Sequence, residues 1–375
     1  METRNVLAAA IRNARERLGI TQQALADAAG FASLQIVSAI ETAQREVKAW
    51  ELVRLARALQ TSVDELLGLS DAAPVRVFWR RGSPGISAER EARLVQRAER
   101  MALLEEWNGL PAAEPLPDLV FAPDRATFSD VTRLARTVGR ALDLGSRPAA
   151  SLLPVLEERF GVKVFYEEMG EGESAACVRG PFGAGILMNA AEAPWRRSYS
   201  FAHELFHLVT WTAVERVWPA DGEPEWSERL EQLADVFASN LLLPAEEVGA
   251  QFEARSARGG EVDGMQVIEL ARELGVSTSA LAWRLVNLGR RDAAWARALL
   301  ADEGFRRRDR LTMPHRWTHP PVPFPDRYLR LALLAYERGM LSLSRLAEFL
   351  ETSIGEASAL LEALELGEEA AAPAP

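Results

Sequence analysis

Apolar residues recur at helical spacing through most of this chain and form short, denser runs only near its middle. Val6, Ala10, Ile11 and Ala14 mark a first helix that Gly19 closes. Thr21 caps a second, TQQALADAAG, which ends at Gly30. A third begins at Ser33 in SLQIVSAIE, WELVRLARAL supplies a fourth, and TSVDELLGL a last short one. Helices this short with turns this tight predict a small all-α bundle over residues 1–70, and not a sandwich or a doubly wound sheet.

The pattern then changes. Pro74, Gly82, Pro84 and Gly85 punctuate the start of 71–125, and Pro111, Pro115, Pro117 and Pro123 its end. Between them ISAEREARLVQRAERMALLEEW has amphipathic spacing with i,i+4 charge pairs, so this stretch reads as a linker containing a helix. Residues 126–290 are mixed. Helical TRLARTVGRALDL and SLLPVLEERFG precede VKVFYEEM and GAGILMN, the two best strands, and helices follow around 196–212, 226–243, 264–274 and 277–288. This predicts an α+β domain with a small sheet. The rest, 291–375, is helical: RYLRLALLAYERG, LSLSRLAEFLE and IGEASALLEALELG. No internal repeat is evident. The expected fold class is therefore multidomain, all-α at the N-terminus, α+β in the centre and α-helical at the C-terminus.

Composition narrows the function classes. A chain of 375 residues, 48% hydrophobic and 26% charged, has material for two or three cored domains. Its net charge of -11 argues against coating nucleic acid non-specifically but leaves DNA binding by one local face open. Cys177 is the single cysteine, which excludes an internal disulfide and a multi-cysteine zinc site. METRNVLAAAIRNARERLG carries charges at helical spacing around no apolar core, so it does not read as a signal peptide, and no apolar run approaches bilayer length. The expected location is the cytoplasm.

The sharpest chemistry is His203-Glu204-Leu205-Phe206-His207. On a helix, i and i+4 share a face, so both imidazoles can reach one ion roughly 2 Å away. Glu204, beside the first ligand, can act as general base on a water at that ion. Zinc with two histidines needs a third protein ligand and an open fourth position. Downstream, Glu231 and Asp235 share a helical face and can supply a carboxylate ligand and an acceptor for a ligating imidazole's other N–H. Glu228, three residues earlier, is the rival to Glu231.

With these residues in view, the chain resembles the ImmA/IrrE metallopeptidases. That family's pattern is a strand ending in Asn, an AHE-x-x-H helix, then E-x-x-A-[ND]-x-F-A-x-x-LL-x-P. The matches are GILMN to Asn189, Ala202 through His207, and Glu231, Ala234, Asp235, Phe237, Ala238 and LLLP to Pro244. LARELGVSTSALAWRLVNLG resembles the family's closing helix-turn-helix pair. The resemblance covers roughly 126–290. It implies a zincin-like (gluzincin) fold, one Zn2+ per chain held by His203, His207 and Glu231, and Glu204 as the catalytic residue. Phe206 stands where the family usually has glycine.

GITQQALADAAGFASLQIVSAIETAQREVKAWELVRLARAL resembles the XRE-type (Cro/repressor-like) helix-turn-helix. Its second helix can meet a phosphate at its N-terminus and its third can enter the major groove of double-stranded DNA. Gln22 and Gln23 are the expected phosphate contacts, Ser33, Leu34, Gln35 and Ser38 the base-edge candidates, and Arg45 and Lys48 the backbone charges. Glu41 is expected to be structural. Ala43 replaces the family's usual glycine. Acidic and basic residues of this domain cancel, so DNA binding requires charges segregated by face and is usually that of a dimer, and a helical protein-interaction module is the alternative.

Two further features are weaker. Cys177 lies just upstream of the strand to Asn189; a thiolate there could fill the zinc's open position and hold it inactive, or it is a small buried hydrophobe. His315 and His319 repeat the i,i+4 spacing, but Pro314, Pro320 and Pro321 deprive it of helical meaning. The C-terminal helices suggest dimerisation or sensing. Together these readings predict a DNA-binding regulator with a zinc endopeptidase domain that cleaves a repressor or antitoxin-like protein, or itself, in a stress or mobile-element/defence response. The alternative is a transcription factor or antitoxin whose zinc domain is a non-catalytic sensor or scaffold.

Overall fold

The computed structural model describes residues 2–17, 20–59, 61, 63–67, 76–80, 88–170, 172–217, 227–259, 262–313 and 321–371. The N-terminal helices are α1 (Glu2–Arg17), α2 (Gln22–Ala28), α3 (Leu34–Glu41), α4 (Ala49–Ala58) and α5 (Val63–Leu66). Their own core gathers Ile11, Leu25, Val37, Ile40, Leu55 and Leu59. Thr21 caps α2 as its spacing predicts, its hydroxyl accepting from the Ala24 N–H at 3.1 Å. Gly30 turns the chain with φ 68°. Val6, expected at a core position of the first helix, instead faces solvent at 51% exposure, and Ala8 is the buried residue there. Gly19 lies outside the described residues.

The helix expected between 71 and 125 is α6 (Ala88–Trp107), but it is preceded by a strand, β1 (Arg76–Arg80), that the sequence pattern does not announce. Five residues between turn-forming clusters carry too little periodicity to declare a strand; pairing partners decide it. The central elements are α7 (Phe128–Ala141), α8 (Pro148–Glu158), β2 (Lys163–Glu167), β3 (Ala175–Gly180), β4 (Gly183–Asn189), α9 (Pro194–Glu215), α10 (Ser227–Leu242), α11 (Ala245–Gly259), α12 (Gly264–Leu274) and α13 (Thr278–Asn287). β2 and β4 are the two expected strands. β3 is an addition to them, because AACVRG opens on two alanines of low strand preference. It forms a hairpin with β4 across a two-residue turn, Gly180 opposite Gly183.

Sheet order is β1-β3-β4-β2, with β2 parallel to β4 and the other pairs antiparallel. Alternation divides the sheet's side chains between two layers. Val164, Ala175, Cys177, Ile186 and Met188 face the main core with α9 and α10. Phe165, Ala176, Val178 and Leu187 face a second core with α6. The remaining helices are α14 (Ala293–Ala301), α15 (Glu303–Leu311), α16 (Asp326–Glu337), α17 (Leu343–Phe349) and α18 (Ile354–Ala371). Residues of α16 and α17, among them Tyr328, Leu331, Leu346 and Phe349, complete that second core. Tyr328 donates its hydroxyl proton to the Phe349 carbonyl at 2.9 Å. Thus the linker helix and the C-terminal helices cover the face of the central sheet that α9 leaves bare. Among the described residues no helix is long and apolar enough to cross a membrane.

Candidate metal centre

Helix α9 starts from Pro194, whose fixed φ suits a first-turn position, and runs buried from Ser200 through Trp211. Helix α10 packs along it with Leu230, Leu233, Ala234, Phe237 and Ala238 buried. This packing brings side chains nearly thirty residues apart into one cluster. His203 Nε2 lies 3.3 Å from His207 Nε2 and 3.1 Å from Glu231 Oε2, and His207 Nε2 lies 3.2 Å from Glu231 Oε1. Among the described residues, only His203, His207 and Glu231 form a group that could hold a metal ion. Glu228 is exposed and outside it.

The spacing fits zinc. Ligands at ~2.0–2.1 Å from a tetrahedral ion stand roughly 3.4 Å apart, close to the separations found. Two imidazole nitrogens with lone pairs facing each other at 3.3 Å repel unless a cation or a proton lies between them. His203 Nδ1 faces Asp235 Oδ1 at 3.0 Å, a bond that places the proton on Nδ1 and turns Nε2 toward the cluster. Tyr199 in turn donates to the Asp235 carbonyl at 2.8 Å. Burial disfavours a charged His203, but hydrogen bonds to Asp235 and Glu231 outweigh it and push its pKa up to about 9. Burial of Glu231 is similarly outweighed by His207 and His203, and its pKa falls well below the usual carboxylate range.

Glu204 is fully buried, and neither carboxylate oxygen meets hydrogen-bonding geometry with a described group, although the Cys177 thiol lies against it. Burial raises its pKa against the pull of both histidines. An ionisable group left unsatisfied in this way is costly, and such groups concentrate where chemistry is done. Cys177 sits mid-ladder on β3, between Phe78 of β1 and Ile186 of β4, fully buried. Burial and the neighbouring Glu204 raise its pKa well above the ordinary thiol value. It is a strand residue outside the three-ligand group with Glu204 as the thiol's neighbour, a placement that matches the buried-hydrophobe alternative and not a thiolate on the ion.

Other expected residues fall as follows. Asn189 is a tie for the loops around the strand ends. Its Oδ1 accepts from the Met169 and Ala191 N–H groups at 3.2 and 3.0 Å, and its Nδ2 donates to the Glu173 carbonyl at 2.8 Å. Phe206 fills the core, its ring 5.3 Å from that of Phe121 and 5.5 Å from that of Phe237. Sequence reasoning misses Phe121, which no periodic pattern marks. His315 and His319 lie outside the described residues.

At the N-terminal end, Leu34 and Gln35 are exposed at the start of α3, with Ser33 and Ser38 half-buried beside them. Gln22 and Gln23, expected on phosphates, have internal partners: Gln22 Nε2 donates to Glu41 Oε2 at 2.9 Å and Gln23 Nε2 to Asp27 Oδ1 at 2.8 Å. Arg45 bonds the buried Glu51 carboxylate at 2.7 Å, and Glu51 also accepts from the Lys48 N–H at 3.0 Å. The Lys48 side chain is exposed. Ala43 takes the glycine conformation, φ 57°, so the turn after α3 is kept.

Fold and site together define a helix-turn-helix unit joined to a metallopeptidase-type domain. Residues 11–66 match the family model described as helix-turn-helix, and residues 157–286 match that of the IrrE N-terminal-like domain. The chain is thus similar to XRE-type helix-turn-helix domains at its N-terminal end and to ImmA/IrrE-like domains at its centre. No curated protein matches it.

Proposed function

We propose that the chain is a DNA-binding regulator whose central domain is a zinc-dependent endopeptidase. One observation carries the reading: three ligand atoms converge at tetrahedral spacing beside a buried, unsatisfied glutamate. His203, His207 and Glu231 would hold the ion. A bound zinc supplies Lewis acidity and lowers the pKa of an attached water toward about 7. Asp235 fixes the His203 tautomer. Glu204 would accept a proton at its carboxylate and return it to the leaving amine. Glu231 and Asp235 are only about two-thirds buried at their side chains, which marks the approach side for a peptide.

The substrate class is a repressor or antitoxin-like protein, or this chain itself, with operator DNA bound by a homodimer through Leu34, Gln35, Ser33 and Ser38, with Gln22, Gln23, Arg45 and Lys48 toward the backbone. The stress or defence setting belongs to the same reading. Self-cleavage has support of its own: β1 is an extended peptide paired to β3, the strand whose Cys177 abuts Glu204. The test incubates the zinc-loaded chain with the product of its neighbouring gene, with and without DNA, and follows both proteins by mass. Cleavage lost in Glu204→Gln with zinc retained supports the peptidase. Regulation unaltered by Glu204→Gln would establish the non-catalytic sensor instead.

A further inference from the structure

We infer that a second cavity, between α7, α10, α11 and α13, binds the oxyanion group of a small molecule, with Arg284 as its receiving residue. The cavity measures about 320 Å3, the lower range of small-molecule sites. It opens at the last turn of α10, beside Asn240. Glu231 lies nine residues earlier, about 13 Å along the helix at 1.5 Å per residue, so the two sites are separate.

Arg284 on α13 is 7% exposed yet has no carboxylate partner among the described residues. Its single hydrogen bond among those residues runs from Nε to the Leu243 carbonyl at 2.8 Å. That bond fixes the guanidinium plane, and among the described residues the terminal nitrogens of this cavity-lining arginine have no acceptor. Burial alone holds its pKa below the ordinary arginine value, with no neighbouring charge to offset it. A desolvated, uncompensated cation is costly, and a planar fork of donors matches a carboxylate or phosphate.

Two further features point the same way. The cavity takes in Pro244 to Glu247, the start of the fifteen-residue α11, where backbone N–H groups favour an anion. Arg136 and Arg140, one turn apart on α7, reach its exposed rim, and neither forms an ion pair among the described residues. Asp143, Glu246 and Glu247 also line it; the first two are exposed, and Glu247 accepts from Gln251. Positive charge at the base with mixed charge at the mouth selects a compact ligand carrying both an oxyanion and hydroxyl or ammonium donors. A polyanion such as nucleic acid is disfavoured.

The test is calorimetric titration of the full-length, zinc-loaded chain at low ionic strength with inorganic phosphate, ribose 5-phosphate and succinate. One-to-one binding of at least one probe is expected, weakened tenfold or more in Arg284→Gln. Arg284→Lys, which keeps the charge and loses the fork, should also weaken it. Because Arg284→Gln also removes the Leu243 link, the exposed double variant Arg136→Ser/Arg140→Ser serves as the fold-neutral partner, with a loss of several-fold. Tighter binding of the phosphates assigns a phosphate ligand, and tighter binding of succinate a carboxylate one. No binding to the wild type at millimolar concentrations, or equal binding in all variants, overturns the site.

Discussion

Each of the two domains buries a glutamate on a helix, and the contrast separates scaffolding from chemistry. Glu41, at 3% exposure, is saturated: Arg15 donates from Nε and Nη2 at 2.6 and 3.1 Å, and Gln22 adds a bond at 2.9 Å. Glu204 is buried as completely, and among the described residues only the Cys177 thiol lies against it, with no nitrogen donor on either oxygen. A carboxylate with a full set of donors locks α1, α2 and α3 together and has no capacity left for a reaction. A carboxylate denied donors keeps its lone pairs and its proton affinity for an incoming group. Each domain also departs at a glycine from the family it resembles, with Phe206 building core in one and Ala43 straining a turn in the other.

The largest expected effect separates the two glutamates by activity. Glu204→Gln should lower peptide hydrolysis by ~10²–10⁴-fold while zinc, measured by atomic absorption, stays at one per chain. His203→Ala or His207→Ala should abolish zinc binding. Normal hydrolysis in Glu204→Gln would remove its distinction from Glu41. Truncating Phe206 to Ala should cost about 3–5 kcal/mol in denaturant unfolding, since its ring fills a site between Phe121 and Phe237.

Glu41→Gln should cost about 3 kcal/mol in the unfolding of the N-terminal unit, because it removes the buried charge facing Arg15 and leaves that guanidinium only exposed Glu16 and the Ile20 carbonyl. A near-neutral result would show that saturation of the carboxylate contributes nothing net. The metal-free protein offers a comparable effect through pH. His203 has its folded pKa raised from 6.5 to about 9, so its contribution is fully present below pH 6.5 and is lost as pH rises toward 9. The loss amounts to roughly 3 kcal/mol at 1.36 kcal/mol per pKa unit. Asp235→Asn should shrink it, and zinc affinity should fall with acidification because a proton on His203 competes with the ion. Flat stability across that window would refute the His203–Asp235–Glu231 coupling. The smallest effect is Ala43→Gly, expected to raise stability by up to about 1 kcal/mol by relieving φ 57° at a residue with a Cβ. A destabilisation would mean that the added freedom of the unfolded chain outweighs the strain.

Much of the metal centre is legible in the amino-acid sequence. The helical spacing of His203 and His207 and the pairing of Glu231 with Asp235 are local facts, and α9 and α10 present them as the spacing implies. The N-terminal helices are legible for the same reason, since caps and turn residues act within a few positions. β1 and β3 are not, because strand formation depends on what lies alongside and neither segment alternates strongly. The bond from Gln22 to Glu41 is not legible either, because the donor is visible in sequence but its acceptor lies nineteen residues away. Glu231 cannot be separated from Glu228 by spacing alone, since i and i+3 share a helical face.

The sequence by itself determined which residues could ligate a metal, most of the helices around them and the turn at Gly30, because each rests on interactions spanning about one helical turn. The tertiary structure alone decided that Cys177 abuts Glu204, that residues 76–80 close the edge of β3, that the C-terminal helices cover the sheet, and that Arg284 is buried without a counter-charge among the described residues. Those are contacts between segments distant in sequence, set by how faces are shared out in a close-packed interior, and no local pattern encodes them.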